Sequence, residues 1–393
     1  MKNNPIRMEP WSPWPIYGKE EEQAIVNVLH SNQLFAAKQV KAFEEEFADY
    51  VGVKFAKGLG NATEGLHLAL AALNIGVGDE VIVTPYSWIS SASCILMQNA
   101  VPVFVDCEPD TLALDAKKVE EAITERTKAI ILVHLFGYSA RVEDVLNVAR
   151  KYNLFLIEDA SHAHGTLFKG KKAGSFGDIN VFSLHQRKTL PVGDGGIITT
   201  DNEELNEKIY RLRSFGHKEL SYNYRMTEFA AALGRVRLKS LDAENEIRIN
   251  NAEMLGELIS NVDGIETLKP IENSKSVYYR LILKFDHSKF KIDINEFIKK
   301  LNIEGIPFET TWEPLHRHPH FNPDKPPARG CPWKWQLYSG EMPDKYNTLS
   351  FPVVENLCDK TIFELVVHPP VGENEMQQAA EAIKKVAEQN YKQ

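Results

Sequence analysis

From about residue 50 to residue 200, short β-branched runs alternate with helical windows, and this alternation restricts the fold more than any other feature. The expected strands cover residues 81–83, 101–105, 129–133, 154–157, 180–182 and 196–199, with helical windows over 63–73, 116–123 and 142–152. Parallel strands need long crossover connections, so this rhythm predicts an α/β fold with a mostly parallel sheet and helices on both faces. After residue 201 the pattern turns helical, over 203–214, 225–241 and 243–259. A smaller α+β region follows, with a strand near 277–285, a helix near 294–301, an irregular Pro- and Trp-rich stretch over 312–337 and a last helix over 373–388. A chain of 393 residues is longer than one core usually supports. The expected division is an irregular N-terminal arm over 1–18, a large domain over 19–245 and a small C-terminal domain over 246–393.

The net charge of −9 argues against nucleic-acid binding, which needs a cationic face to displace counterions. It leaves room for a single anionic group held by a helix N-terminus. Four cysteines, Cys94, Cys107, Cys331 and Cys358, are scattered with no CxxC pair, and free thiols in a reducing compartment are expected. The segment Met1–Pro5 carries no apolar signal core, and no apolar run reaches the roughly 18 residues of a membrane span. The expectation is a cytoplasmic chain that binds neither nucleic acid nor membrane.

Five segments carry candidate chemistry. In Phe182-Ser183-Leu184-His185-Gln186-Arg187-Lys188, a lysine follows an apolar strand, and the glycine-rich turn Gly193-Asp194-Gly195-Gly196 follows the lysine. A lysine kept uncharged in a pocket can condense with a carbonyl group; an exposed loop lysine beside a hairpin turn fits the same letters. Twenty-nine residues earlier, Glu158-Asp159 closes another apolar run, at the strand end where open α/β sheets bind ligands. Asp159 is the candidate to keep a ring nitrogen protonated, or else it caps the next helix. His162 and His164 follow, but no third ligand stands at metal spacing, and no metal is expected. Ala62 and Thr63 open a helix after Gly58-Leu59-Gly60-Asn61, an arrangement that binds phosphate but that any capped helix also shows. It has neither the lysine of a P-loop nor GxGxxG spacing. Trp88 stands at another strand end, able to stack on a flat heterocycle or to pack in a core. Ser221–Arg225 precedes a long helix.

Together these segments resemble the DegT/StrS family of sugar and cyclitol aminotransferases, which are fold-type-I enzymes dependent on pyridoxal 5′-phosphate (PLP). The specific part is the spacing: Ser183 stands five residues before Lys188, and the Gly-Asp-Gly-Gly turn begins five residues after it. The resemblance runs from about Gly18 to the C-terminal helix. It implies that Lys188 binds PLP as a Schiff base and shuttles the proton, and that Asp159 pairs with the pyridine nitrogen. Trp88 would stack on the ring, while Ala62, Thr63 and Ser183 would hold the phosphate. Asn223 would reach that phosphate from the neighbouring subunit of a homodimer. His162 stands where the family often has glutamine near the ring hydroxyl, and Ala62 where glycine is usual, so the backbone there must avoid positive φ.

The runs Pro85–Ile89, Val133–Gly137 and Glu158–Gly165 look most like the inosose and aminoshikimate-precursor branches. The loop Trp312–Pro319 resembles one near the family's substrate pocket, making His316 a candidate substrate contact. The implied reaction is a ping-pong transfer of an amino group from glutamate or glutamine to a keto-sugar or keto-cyclitol. The alternatives are a PLP-dependent dehydratase or lyase on a related sugar or cyclohexenone, and a non-catalytic regulatory homologue. Members that act as dehydratases replace the lysine with histidine; here the lysine is in register, and His185 lies three residues too early.

Overall fold

A computed structural model describes residues 4–215, 219–322, 332–340 and 349–392. Its strands are β1 (Phe55–Leu59), β2 (Glu80–Val83), β3 (Val101–Phe104), β4 (Thr127–Val133), β5 (Phe155–Asp159), β6 (Leu167–Phe168), β7 (Lys171–Lys172), β8 (Ile179–Ser183) and β9 (Gly196–Thr200). They continue with β10 (Ile265–Thr267), β11 (Ser274–Lys275), β12 (Leu281–Phe285), β13 (Glu309–Thr310) and β14 (Ile362–Leu365). The large sheet has the order β1-β9-β8-β5-β4-β2-β3. Five of its strands, β3, β2, β4, β5 and β8, run parallel, and β9 is antiparallel to both neighbours. Strands β2 and β8 are buried along their whole length, as strands covered by helices on both faces must be. A smaller antiparallel sheet, β10-β12-β14-β13, packs against the helix Ile294–Ile303, which the helix Glu373–Asn390 contacts in turn. The α/β large unit with a smaller C-terminal α+β unit is therefore the architecture that the alternation predicted.

Two expectations are corrected. The helices expected over 225–241 and 243–259 are one continuous helix, Glu228–Leu258. No glycine or proline interrupts it near Asp242, whose side chain instead accepts a bond from the Tyr50 hydroxyl at 2.6 Å. This helix runs through residues 245 and 246, where the domain division was expected. The strand expected over 277–285 is paired only over Leu281–Phe285. The four residues before it turn away to bond a loop between β4 and the next helix: Val277 N–H donates to the Gly137 carbonyl (3.1 Å) and Arg280 N–H to that of Phe136 (3.2 Å).

Residues 4–18 form no helix or strand. Cys94, Cys107 and Cys358 are free thiols; Cys331 and part of the irregular stretch over 312–337 lie outside the described residues. Among the described residues no helix is long and apolar enough to cross a membrane.

Candidate active site

The parallel strands all end at one edge of the large sheet, and the candidate residues gather there. Asp159 ends β5, Ser183 ends β8, and Ser87 and Trp88 lie in the turn after β2. The helix Ala62–Ala72 starts at the same edge after β1. They line a cavity of about 820 Å³ whose walls include Thr63, Trp88, Asp159, His162 and Lys188.

Lys188 rides the loop of the β8–β9 hairpin. The loop is closed by Leu184 N–H to Gly195 O (2.8 Å), Gln186 N–H to Gly193 O (2.7 Å) and Lys188 N–H to His185 O (2.8 Å). Gly193 adopts φ of +95°, a turn conformation that side-chain-bearing residues resist. Gly196 serves close approach: a Cβ there would stand 2.5 Å from the Asn61 carbonyl carbon, so the start of β9 and the start of the helix Ala62–Ala72 lie together only because this residue has none. The Lys188 amine lies 4.7 Å from the centre of the Tyr279 ring. Burial pulls its pKa down to about 7, with Arg280 adding to the fall and Asp159 opposing it. It is thus a lysine with a sizeable uncharged fraction at neutral pH.

Asp159 is held from two sides: its Oδ2 accepts from Ser91 Oγ (2.7 Å) and its Oδ1 from the Ser161 N–H (3.2 Å). Ser91 is itself 2.7 Å from Ser87 Oγ. The Asn61 side chain caps the helix Ala62–Ala72 by accepting from Glu64 N–H (2.9 Å). The backbone N–H groups of Ala62 and Thr63 precede the first intrahelical bond and are available to an anion. Ala62 is not among the residues with positive φ. Thr63 Oγ1 lies 2.7 Å from Ser90 Oγ. Two carboxylates share this region: burial raises the Glu64 carboxyl, the Gly60 and Asn61 N–H groups oppose that, and Asp194 raises it further.

The test of whether a PLP ring suits the cavity is His162. Its Nδ1 accepts the Phe136 N–H at 3.2 Å, which places the proton of a neutral ring on Nε2. Burial, with Lys188 and Arg280 nearby, keeps the ring neutral by holding its pKa well below the usual value. The Nε2 atom is buried with no hydrogen-bond partner. A buried donor without a partner is costly, and the ring oxygen of PLP would satisfy it. The imidazole stacks on Tyr279 at 4.3 Å and 20°. Trp88 is 56% exposed and makes a T-shaped contact with Trp312 at 5.5 Å.

Two candidates are not brought to the cavity within this chain. Asn223 is exposed and accepts from Arg225 Nε at 2.9 Å. His316 is buried, with Nε2 3.1 Å from Glu355 and its ring against Phe351; Trp312, four residues earlier, lines the cavity instead.

Sequence reasoning missed Ser91, Tyr279, Arg280 and Trp14, and within the loop Trp312–Pro319 it chose His316 rather than Trp312. Trp14, in the arm, donates its Nε1–H to the Lys188 carbonyl at 3.0 Å. Ser87 and Ser91 stand four apart at a helix start, and Arg280 interrupts an otherwise uncharged run from Val277 to Leu283; both were visible signals. Trp14 had none, because its partner is a backbone carbonyl 174 residues away.

The model of the DegT/DnrJ/EryC1/StrS aminotransferase family matches residues 15–368. The L-glutamine:2-deoxy-scyllo-inosose aminotransferase of Streptomyces kanamyceticus is 34% identical over 346 residues, covering 81% of each chain. The GDP-perosamine synthase of Caulobacter vibrioides is 37% identical over 289 residues, covering 71% of this chain and 77% of its own. Among solved structures, an aminotransferase from Psychrobacter cryohalolentis superposes with a TM-score of 0.88 at 29% identity, over 97% of this chain and 99% of its own. With the family model spanning nearly the whole chain and every cavity-lining strand end inside the matched range, the protein belongs to the DegT/DnrJ/EryC1/StrS aminotransferase family.

Proposed function

We propose that this chain is a PLP-dependent aminotransferase that moves an amino group from glutamate or glutamine to a keto-sugar or keto-cyclitol in two half-reactions. The observation that carries the reading is Lys188: an amine lowered to about 7, lining one cavity with Asp159, Thr63 and the unpartnered Nε2 of His162. When bound, PLP supplies an electron sink for the carbon that carries the transferred nitrogen. Lys188 would hold the cofactor covalently, then take the proton from that carbon and deliver it to the cofactor's own carbon. Asp159, fixed by Ser91 and Ser161, would keep the ring nitrogen protonated. Trp88 would cover one face of the ring, His162 would donate to the ring oxygen, and Ala62, Thr63 and Ser183 would hold the phosphate against rotation.

Glu64 and Asp194 stand at the phosphate end of the cavity, where a further donor would favour a bound anion. Asn223, exposed beside Arg225, would supply it to a neighbouring copy, so the reading includes a homodimer with shared sites. The relatives are named for an inosose and for GDP-perosamine at similar identity, so both free cyclitols and nucleotide-linked sugars belong in the acceptor panel.

The test is an absorbance spectrum of the PLP-loaded protein before and after glutamate, then glutamine. Loss of the Schiff-base band to the pyridoxamine form with donor alone supports transamination. A band that returns unchanged while the added compound is consumed points to a lyase, and failure to take up PLP removes the enzyme reading.

A further inference from the structure

We infer that Arg280 is the carboxylate-binding residue of the cavity, shared between Glu364 and an amino-acid donor, and that this sharing lets one cavity serve two chemically unlike substrates. The inference deepens the aminotransferase reading and rests on it.

Arg280 lines the cavity together with Lys188, Tyr279 and Trp312. Its side chain is 14% exposed, and its guanidinium carbon lies 5.3 Å from the Tyr279 ring centre. The segment that carries it leaves the line of β12 to bond the Phe136 and Gly137 carbonyls. Its position is therefore fixed from the backbone outward.

Among the described residues Glu364 is its one ion-pair partner, and that pair is incomplete. Nε stands 3.3 Å from Glu364 Oε1, a single contact rather than the two-pronged fork that arginine and carboxylate form at their strongest. Glu364 Oε2 is buried with no partner at all. Burial pushes the Glu364 carboxyl up to about 7, against the pull of Arg280. Neither member of the pair is fully satisfied by the other. A buried guanidinium in that condition gains from a second anion.

The other groups nearby cannot take that part. His162 and His368 are held neutral by burial. Lys188 is committed to the cofactor, and Arg187, which also lines the cavity, is exposed to solvent, where an ion pair is worth little. Arg280 is left as the partly buried, permanently charged group on this wall. An α-amino acid carries its carboxylate one carbon from the nitrogen that must reach Lys188, so its anionic end must lie close to that amine. A keto-sugar or keto-cyclitol brings hydroxyls and no carboxylate to the same place. Glu364 then serves as the returning counter-ion, which spares Arg280 an unpaired state during the second half-reaction.

The experiment follows the cofactor spectrum of the loaded protein and reads the glutamate concentration that half-saturates the change. Arg280→Gln is expected to raise it about 10- to 100-fold, the span of a lost charge-assisted hydrogen bond, and Arg280→Lys to raise it less. Isoglutamine, whose α-carboxylate is an amide, is expected to react equally poorly with the parent and with Arg280→Gln. Glu364→Gln removes the competitor and is expected to lower the half-saturating concentration. Calorimetry with 2-oxoglutarate on protein without cofactor gives a second readout, with binding in the parent and loss in Arg280→Gln. Unchanged half-saturation in Arg280→Gln, or a value that is unchanged or raised in Glu364→Gln, overturns the assignment. So does equal 2-oxoglutarate binding. A spectrum that no donor moves, in the parent as well, instead overturns the aminotransferase reading while the 2-oxoglutarate arm still reports on Arg280.

Discussion

Behind the large sheet, the Glu158 carboxylate accepts from His134 Nε2 (2.8 Å) and from the backbone N–H groups of Gly174 (3.0 Å), Phe176 (2.6 Å) and Gly177 (2.8 Å). In front of it, one residue later on β5, Asp159 accepts two bonds and faces the cavity. Successive side chains of a strand point to opposite faces, so an acidic pair adjacent in sequence is split between a closed side and an open one. The closed side leaves no lone pair for a ligand, because every acceptor position is spent on holding the loop after β7 against the strand. The open side anchors its carboxylate just enough to aim it. Two residues of the same chemistry thereby divide into one that is spent on the fold and one that faces the cavity.

Exchanging the damage between the two sides tests that division most severely. Asp159→Asn keeps the shape and one acceptor but removes the charge. It is expected to slow the donor half-reaction roughly 10²- to 10⁴-fold while thermal stability stays near that of the parent. Glu158→Gln turns an NH₂ toward donors and leaves buried N–H groups unpaired. It is expected to cost about 3–5 kcal/mol in a denaturant titration, with the spectrum of any folded, loaded protein unchanged. The comparison fails if the two variants trade phenotypes.

Acid sharpens it further. Burial alone would raise the Glu158 carboxyl, but the His134 hydrogen bond and charge, with the Gly174 and Gly177 N–H groups, more than offset this and hold it below the usual range. A depressed carboxylate contributes stability that is present above its unfolded value and lost as pH falls through its folded value. The parent should lose stability on that descent, and Glu158→Gln should show a flatter acid limb in thermal melts. Lys188 on the open side runs the other way. Its amine is lowered to about 7, so the uncharged fraction grows as pH rises to that value and levels off above it. The rate of PLP capture by cofactor-free protein should rise about tenfold per pH unit below 7 and plateau above, whereas an ordinary lysine would still be climbing near pH 10. A climb that continues past pH 9 would place Lys188 outside the enclosed setting described for it.

The open side was the more legible of the two in the sequence. Lys188, Ser183 and the Gly193–Gly196 turn lie within fourteen residues, so their relation is local and spacing reports it. Asp159 and Thr63 were readable because strand ends and helix starts mark themselves. Asp159 rather than Glu158 was singled out, and the structure puts Asp159 on the cavity; the buried role of Glu158, which depends on a loop some sixteen residues away, was not legible. Tyr279 was hidden inside a run that reads as strand, and Arg280 was marked there only by its charge; the backbone bonds to Phe136 and Gly137 that pull them off it are tertiary. His316 was drawn in by its loop, yet its imidazole turns to Glu355 and Phe351, a choice made by residues some forty positions away.

The smallest expected effect belongs to the arm, which supports the lysine loop from behind. Trp14 bonds the Lys188 carbonyl, its ring lies 4.9 Å from that of His368, and Arg248 and Arg237 stand 4.9 and 5.3 Å from its centre. Arg248 Nε donates to His368 Nδ1 (2.7 Å) and its Nη1 to Asn245 (2.8 Å). Asn245 donates to the His164 carbonyl (2.9 Å), and the His164 ring is 3.0 Å from Thr189 Oγ1, which closes a circuit onto the residue after the lysine. Trp14→Phe keeps an aromatic ring in place and deletes one N–H donor. A single hydrogen bond of net worth about 1 kcal/mol predicts a change of several-fold in PLP capture or release, with the Lys188 pH midpoint unmoved because the amine's own surroundings are intact. If the midpoint shifts instead, the arm reaches through the Lys188 backbone to set the chemistry of the open side, and the two cannot be treated as separate.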